Sequence, residues 1–264
     1  MLGAIIGDTI GSVYEWNNIK TKEFPLFTQR STFTDDSVMT VAVAHACLNA
    51  ASTGGELSKP ELVDLMQSYG RLYPDAGYGG RFHRWIHSSH PKPYNSFGNG
   101  SAMRVSPVAW VADDLDTVER LAAATAEVTH NHPEGIRGAQ ATAGCILLAR
   151  QGASNEAIRT YAEEVHGYDL AFTLEAIRPD YKFDVTCQGS VPQAIVAFLE
   201  STSFEDAIRN AISIGGDSDT IAAIAGSIAQ GRYGVPDELA EEVARRLPDP
   251  LRSVVTRFCD KFVS

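Results

Sequence analysis

With 264 residues, 44% of them apolar and 21% charged, the chain is long enough to bury a sizeable core and ordinary in composition for a globular protein. Its formal net charge of −11 argues against nucleic acid as a partner, because phosphate backbones are held on basic faces; backbone N–H groups can still hold a small phosphorylated ligand. No apolar run is long enough to cross a membrane, and Cys47, Cys145, Cys187 and Cys259 lie too far apart for a zinc motif or a disulfide framework, so they are expected to be idle thiols in a reducing cytoplasm.

The chain opens without the basic start of a targeting segment and reaches Asp8 within ten residues, so this stretch is read as part of the fold. Leu2, Ile5, Ile6 and Ile10 suggest a first helix, with Gly3, Gly7 and Gly11 recurring every four residues along one face. Each glycine costs roughly 1 kcal/mol relative to alanine in a helix interior, so three in register predict the close approach of another backbone. Helical periodicity predicts further helices over 37–48 (ended by the breaker-rich 52–55), from Lys59 with Pro60 in the first turn, and over 117–128, 133–148, 155–165, 191–199, 204–214, 220–229, 237–246 and 251–262. Only 182–186 reads as a strand. With no linker and no repeat, one all-α domain over 1–264 is expected.

The segment 73–106 departs from this pattern. It is rich in Gly, Pro, His, Tyr and Asn, and its aromatics Tyr78, Phe82, Trp85, Tyr94 and Phe97 argue against disorder; binding loops are expected.

Two acidic clusters each precede an apolar helix. Thr34-Asp35-Asp36-Ser37 taken alone reads as a helix N-cap. Gly215-Gly216-Asp217-Ser218-Asp219-Thr220 changes that reading, because hydroxyls and carboxylates now stand at two helix starts, and the paired glycines permit a sharp turn. If the clusters converge, they form a hard-oxygen donor set suited to Mg²⁺, Mn²⁺ or Ca²⁺ rather than zinc. Two divalent ions would relieve the repulsion between four carboxylates. Asp8 and Glu15 stand evenly between solvated surface acids and members of the site. At this point a two-metal phosphohydrolase fits as well as any other hydrolase.

In this order, Gly3-Ala4-Ile5-Ile6-Gly7-Asp8-Thr9-Ile10-Gly11, Thr34-Asp35-Asp36-Ser37, Ser96-Phe97-Gly98-Asn99-Gly100-Ser101-Ala102-Met103-Arg104, Thr129-His130 and the second acidic cluster resemble the ADP-ribosylglycohydrolase family. The resemblance runs from the first helix to about residue 236. It implies a single compact orthogonal helical bundle with a binuclear Mg²⁺ or Mn²⁺ centre, whose ligands carried over by position are Thr34, Asp35, Asp36, Asp217, Asp219 and Thr220. Glu15 matches a mobile glutamate near the metals. Ser96, Gly98, Asn99 and Gly100 match a loop that holds the phosphates and ribose of ADP-ribose, Phe97 an aromatic that stacks on adenine, and His130 a substrate-side histidine. Ser37 stands where many members have Thr, and Phe97 where many have Tyr, which keeps the π-face but loses a phenolic hydrogen bond.

The implied reaction is hydrolysis at C1 of the distal ribose of an ADP-ribosylated protein, with Asp35, Asp36 or Glu15 taking the proton of the attacking water. An arginine-linked substrate is favoured over a serine-linked one. A non-catalytic ADP-ribose binder ranks lower, since all six ligand positions keep an oxygen side chain. His132 is expected to cap or face solvent. His45 is expected in the core, and His83, His87 and His90 in an exposed cluster; Trp16, Trp85 and Trp110 receive no role. Substrate discrimination is expected in 16–27 or 77–90, and nothing calls for more than a monomer.

Overall fold

The computed structural model describes residues 1–263. In chain order the helices are α1 (Leu2–Gly11), α2 (Asp35–Thr53), α3 (Lys59–Leu72), α4 (Gly80–Ile86), α5 (Gly100–Met103), α6 (Leu115–Glu127), α7 (Pro133–Arg150), α8 (Asn155–Thr160), α9 (Leu174–Ile177), α10 (Cys187–Leu199), α11 (Phe204–Ser213), α12 (Ser218–Tyr233), α13 (Asp237–Arg246) and α14 (Asp249–Phe262). Helix starts are set by capping: Ser58, Asp114, Ser154, Thr173, Thr186 and Ser203 each accept a backbone N–H from the first turn of the helix that follows. None of the helices is long and apolar enough to span a membrane.

The bundle is organised around α12, which packs on α1, α7, α10 and α11 and is buried from Ser218 to Gln230. Its tightest partner is α1. A Cβ built on Gly3 would stand 2.2 Å from the Gly226 carbonyl oxygen, on Gly7 2.1 Å from that of Ala222, and on Gly11 2.5 Å from the Cα of Asp219. The glycine register therefore does what its periodicity predicts: it lets two helix backbones touch.

Four local expectations are corrected. The segment 73–106 is not all loop, because α4 and α5 lie within it. Phe82, Trp85 and Ile86 are buried, and Gln67 Nε2 and Arg71 Nη1 cap the carbonyls of Trp85 and Ile86 from α3. A helix of seven residues is too short for periodicity to reveal. The tempting strand at 182–186 forms no sheet; one antiparallel bridge pairs Thr186 with Gly98. The helix expected from Val191 starts at Cys187, capped by Thr186, and carries Pro192 inside it. The run over 155–165 is continuous in chain but changes at Tyr161 to a wider turn with π-type bonding.

His45 is half-buried and hydrogen-bonded to the Tyr69 hydroxyl at 3.0 Å. His132 caps α7, its Nδ1 accepting from the Glu134 N–H at 3.1 Å. His83, His87 and His90 are exposed.

Candidate active site

The first acidic turn is built by a residue from another helix. Asp8, buried on α1, accepts from the backbone N–H of Thr34 (2.9 Å) and of Ser37 (3.1 Å), from Thr34 Oγ1 (2.7 Å), and from the Ser37 hydroxyl. Its carboxylate supplies to the N-terminus of α2 what a capping side chain supplies locally. The surface reading of Asp8 is thereby excluded. With the turn held from behind, Asp35 and Asp36 face the interior cleft.

The second turn needs backbone that only glycine adopts readily. Gly215 and Gly216 have φ of +69° and +77°, and Asn18 clamps them from 198 positions away: its Oδ1 accepts from Gly216 N (2.7 Å) and its Nδ2 donates to Gly216 O (3.0 Å). The same amide donates to the carbonyls of Tyr14 and Glu15, both at 2.8 Å. Asn18 therefore ties the segment carrying Glu15 to the turn carrying Asp217. No sequence signal marks it, because an Asn in a loop has no preferred partner until the fold is known.

The two clusters meet. Thr220 Oγ1 donates to Asp36 Oδ2 at 3.2 Å, and oxygens of Glu15, Asp217 and Asp219 lie within 4.8 Å of one another. Burial and then the neighbouring Asp219 charge push Asp35 and Asp36 well above the usual carboxylate range, and burial with Asp217 does the same to Asp219. Burial raises Asp217 to about 6, and burial with the charges of Asp219 and Asp8 raises Glu15 to about 7. None of the ion pairs among the described residues involves these acids. Asp36 Oδ1 is buried without any hydrogen-bond partner among the described residues. An all-oxygen set with an orphaned carboxylate oxygen and no compensating cation fits hard divalent ions. Thr34 is placed differently from the other five positions matched to metal ligands: its hydroxyl bonds to Asp8 and to the Asp36 N–H, and it does not border the cavity.

That cavity, of about 410 Å³, opens onto the acids and is bordered by Ser96, Gly98, Asn99, Gly100 and His130. The loop is fixed by pairing with 185–187: Asn99 N donates to Val185 O (2.8 Å) and Cys187 N to Phe97 O (3.0 Å). Asn99 Nδ2 is engaged with Asp217 Oδ2 (2.7 Å) and Ser190 Oγ (2.9 Å), so this side chain joins the loop to the acid cluster. Phe97 lies outside the lining, 46% exposed, with its ring 5.4 Å from that of His132. Trp16, given no role of its own but standing in the 16–27 segment expected to discriminate substrates, and Phe183, read as part of a strand, border the cavity instead. Trp16, 76% exposed, stacks on Phe183 at 5.2 Å. The available signal was the position of Trp16 directly after Glu15.

The raised carboxylates carry a pH prediction. Unfolded, Asp217 and Glu15 would ionise near 3.8 and 4.5; folded, near 6 and 7. Between these values the native state binds more protons than the unfolded one, so stability falls as pH rises. In EDTA the melting temperature is expected to fall from about pH 4 to about pH 7, and Mg²⁺ or Mn²⁺ at pH 7.5 to restore it. Scanning fluorimetry that finds no metal-dependent rise at pH 7.5 would remove the physical basis of the cation site.

Comparison with known proteins gives the same direction. The family model described as ADP-ribosylglycohydrolase matches residues 1–264. The chain is 25% identical over 314 aligned residues to ADP-ribosylhydrolase ARH3 of Mus musculus, covering 89% of this chain and 83% of that one. It is 30% identical over 156 residues to ADP-ribosylarginine hydrolase Tri1 of Pseudomonas putida, covering 56% and 42%. A solved structure titled ADP-ribosylglycohydrolase-related protein complex superposes with a TM-score of 0.69 over 97% of this chain and 95% of its own, at 22% identity, which speaks for the fold.

Proposed function

The chain belongs to the ADP-ribosylglycohydrolase family and is a glycohydrolase, and from that premise we propose that it releases ADP-ribose from arginine side chains of modified proteins. The observation that carries the reading is the acid cluster, with Asp36 Oδ1 buried and unbonded among the described residues, beside a cavity walled by a glycine-rich loop. With acids drawn from both ends of the chain, 1–264 acts as one functional unit. The four free thiols suit a reducing cytoplasm.

Asp35, Asp36, Asp217, Asp219 and Thr220 would hold two divalent ions, Mg²⁺ or Mn²⁺, with Thr34 behind them. Such ions supply positive charge beside the ribose and help orient the attacking water. Asp8 keeps the first turn in place, and Asn99 orients Asp217. Glu15, half-buried at the edge of the cluster, is the acid best placed to take the proton of the water, with Asp35 and Asp36 as the other candidates. Ser96, Gly98, Gly100 and His130 receive the ADP-ribose, and Phe97 offers an exposed ring for adenine.

The arginine preference rests on the mouth of the cavity. An exposed Trp16–Phe183 stack beside Glu15 offers π-faces and a carboxylate to the leaving group. A planar guanidinium is attracted by both, while the linked serine oxygen is uncharged and has neither a cation nor a proton to offer them.

The test is direct. Incubation with an ADP-ribosylarginine protein and with an ADP-ribosylserine peptide should release free ADP-ribose from the first at least about tenfold faster, a ratio worth roughly 1.4 kcal/mol, and EDTA should stop both. Faster release from the serine peptide would overturn the arginine assignment. Release of AMP or phosphate in place of ADP-ribose would overturn the reaction.

A further inference from the structure

A buried chain of hydrogen bonds runs behind the glycine-rich loop. Arg104 is 1% exposed, and its Nη2 donates to Thr125 O (2.9 Å) and to Thr129 Oγ1 (2.8 Å), while its Nε has no partner among the described residues. Thr129, fully buried, brings the same oxygen within 2.7 Å of His130 Nδ1.

The proton positions follow from what each group can do. A guanidinium donates and never accepts, so Thr129 Oγ1 accepts from Arg104. The hydroxyl keeps one proton of its own. His130 Nδ1 is the acceptor in its reach, and Thr129 makes no other side-chain hydrogen bond among the described residues. A proton on Nδ1 would leave two donors facing one oxygen and the hydroxyl proton buried without an acceptor. The doubly protonated ring fails for the same reason, and burial together with the Arg104 charge holds it well below the usual imidazole range.

The other ring nitrogen is left for the cavity. His130 Nε2 bonds to no protein group among the described residues, and the ring borders the cavity. A Cβ on Gly100 would stand 3.2 Å from Nε2, and one on Gly98 3.5 Å, so glycine at both positions keeps this nitrogen uncovered.

We infer that Arg104 and Thr129 are positioning residues that lock His130 as the neutral tautomer protonated on Nε2. His130 therefore meets the bound ligand as a hydrogen-bond donor to an acceptor oxygen, of phosphate or ribose, and not as a proton acceptor. The identity of the ligand rests on the proposed ADP-ribose site; the tautomer does not.

Nitrogen-15 histidine spectra of the full chain with Mg²⁺ present test the tautomer, with the His130 signals identified by their loss in His130→Asn. An unprotonated Nδ1 and a protonated Nε2, unchanged from about pH 5.5 to pH 8, are expected. A protonated Nδ1 at any pH in that range overturns the inference. For function, Thr129→Val removes the hydroxyl at constant shape. It should weaken binding of free ADP-ribose by calorimetry about tenfold, the loss of one well-aligned hydrogen bond. KM should rise by a similar factor with kcat little changed, and Thr129→Ser should restore both. Wild-type affinity in Thr129→Val, or equal weakening in Thr129→Ser, overturns the positioning role. Should Thr129→Val not fold, the spectrum and Thr129→Ser decide. A wild-type protein that binds no ADP-ribose would refute the proposed function, and the spectrum would then decide the tautomer.

Discussion

Asp36→Asn is expected to lower ADP-ribose release on the order of 10³-fold, the scale seen when one preorganised charge is removed from a catalytic site, while raising the melting temperature of the metal-free protein. The two effects share a cause. Asp36 is 3% exposed, its Oδ1 has no partner, and it sits among Asp219, Asp8, Asp35 and Asp217. An amide of the same shape removes one carboxyl whose ionisation burial and its acidic neighbours oppose. Each 1 kcal/mol of repulsion relieved should raise the melting temperature by about 2–4 °C. With Mg²⁺ or Mn²⁺ added, the order should reverse, because the wild type gains binding free energy that the variant has lost. Turnover measured alongside fluorimetry with and without metal decides the matter. A variant that keeps turnover within tenfold, or whose metal-free form melts lower than the wild type, would contradict the account.

Gly7→Ala is expected to destabilise the protein by about 3 kcal/mol or more, at the upper end for overpacking, with a fall of roughly 6–12 °C in melting temperature. The added Cβ would lie 2.1 Å from the Ala222 carbonyl oxygen and 2.7 Å from the Ala223 nitrogen. Both are backbone atoms, which cannot move aside as a flexible side chain can. The only relief is to part α1 from α12, and this also separates Asp8 from the turn that holds Asp217 and Asp219. Activity should therefore fall further than the loss of folded protein explains. Gly79→Ala is the control, since nothing lies within 4 Å of its built Cβ; it should stay within about 0.5 kcal/mol of the wild type. Urea unfolding of both variants measures the contrast. Equal midpoints would mean that the helix contact has slack the geometry does not show.

Much of the architecture could be read from residue patterns. Apolar periodicity located the long helices, since a helix that buries one face must repeat at about 3.6 residues. It failed where an element is too short to repeat, as in Gly80–Ile86, and where a capping residue outranks periodicity, as Thr186 does before Cys187. The apolar alternation at 182–186 marked a chain that pairs by one bridge with the 96–100 loop. An extended segment and a strand look alike until a partner is found.

For the site, the two acidic clusters, the glycine-rich loop and His130 were visible as motifs, and the acids, four of the five loop residues and His130 border one cavity. Trp16 was given no role beyond its place in the 16–27 segment expected to discriminate substrates, and Phe183 only a place in a strand, because their stacking joins positions far apart in the chain. Asn18 acts through long-range hydrogen bonds, which have no local signature, and Thr129 stood in the Thr129-His130 motif without a role, because its bond to Arg104 joins two separate segments.

The sequence by itself determined the helical class, the chemical type of the donor groups and the tight helix face at Gly3, Gly7 and Gly11, since these follow from residue type and spacing along one element. Tertiary structure decided that Asp8 turns inward to cap α2, that Asn18 clamps the Gly215-Gly216 turn, that Asn99 joins the loop to Asp217, and that the proton of His130 faces the cavity. Each of these depends on which group meets which across the fold. A hydrogen bond or a repulsion between two residues has no magnitude until their separation and burial are set, and in this chain packing of α1 on α12 sets both for the acid cluster.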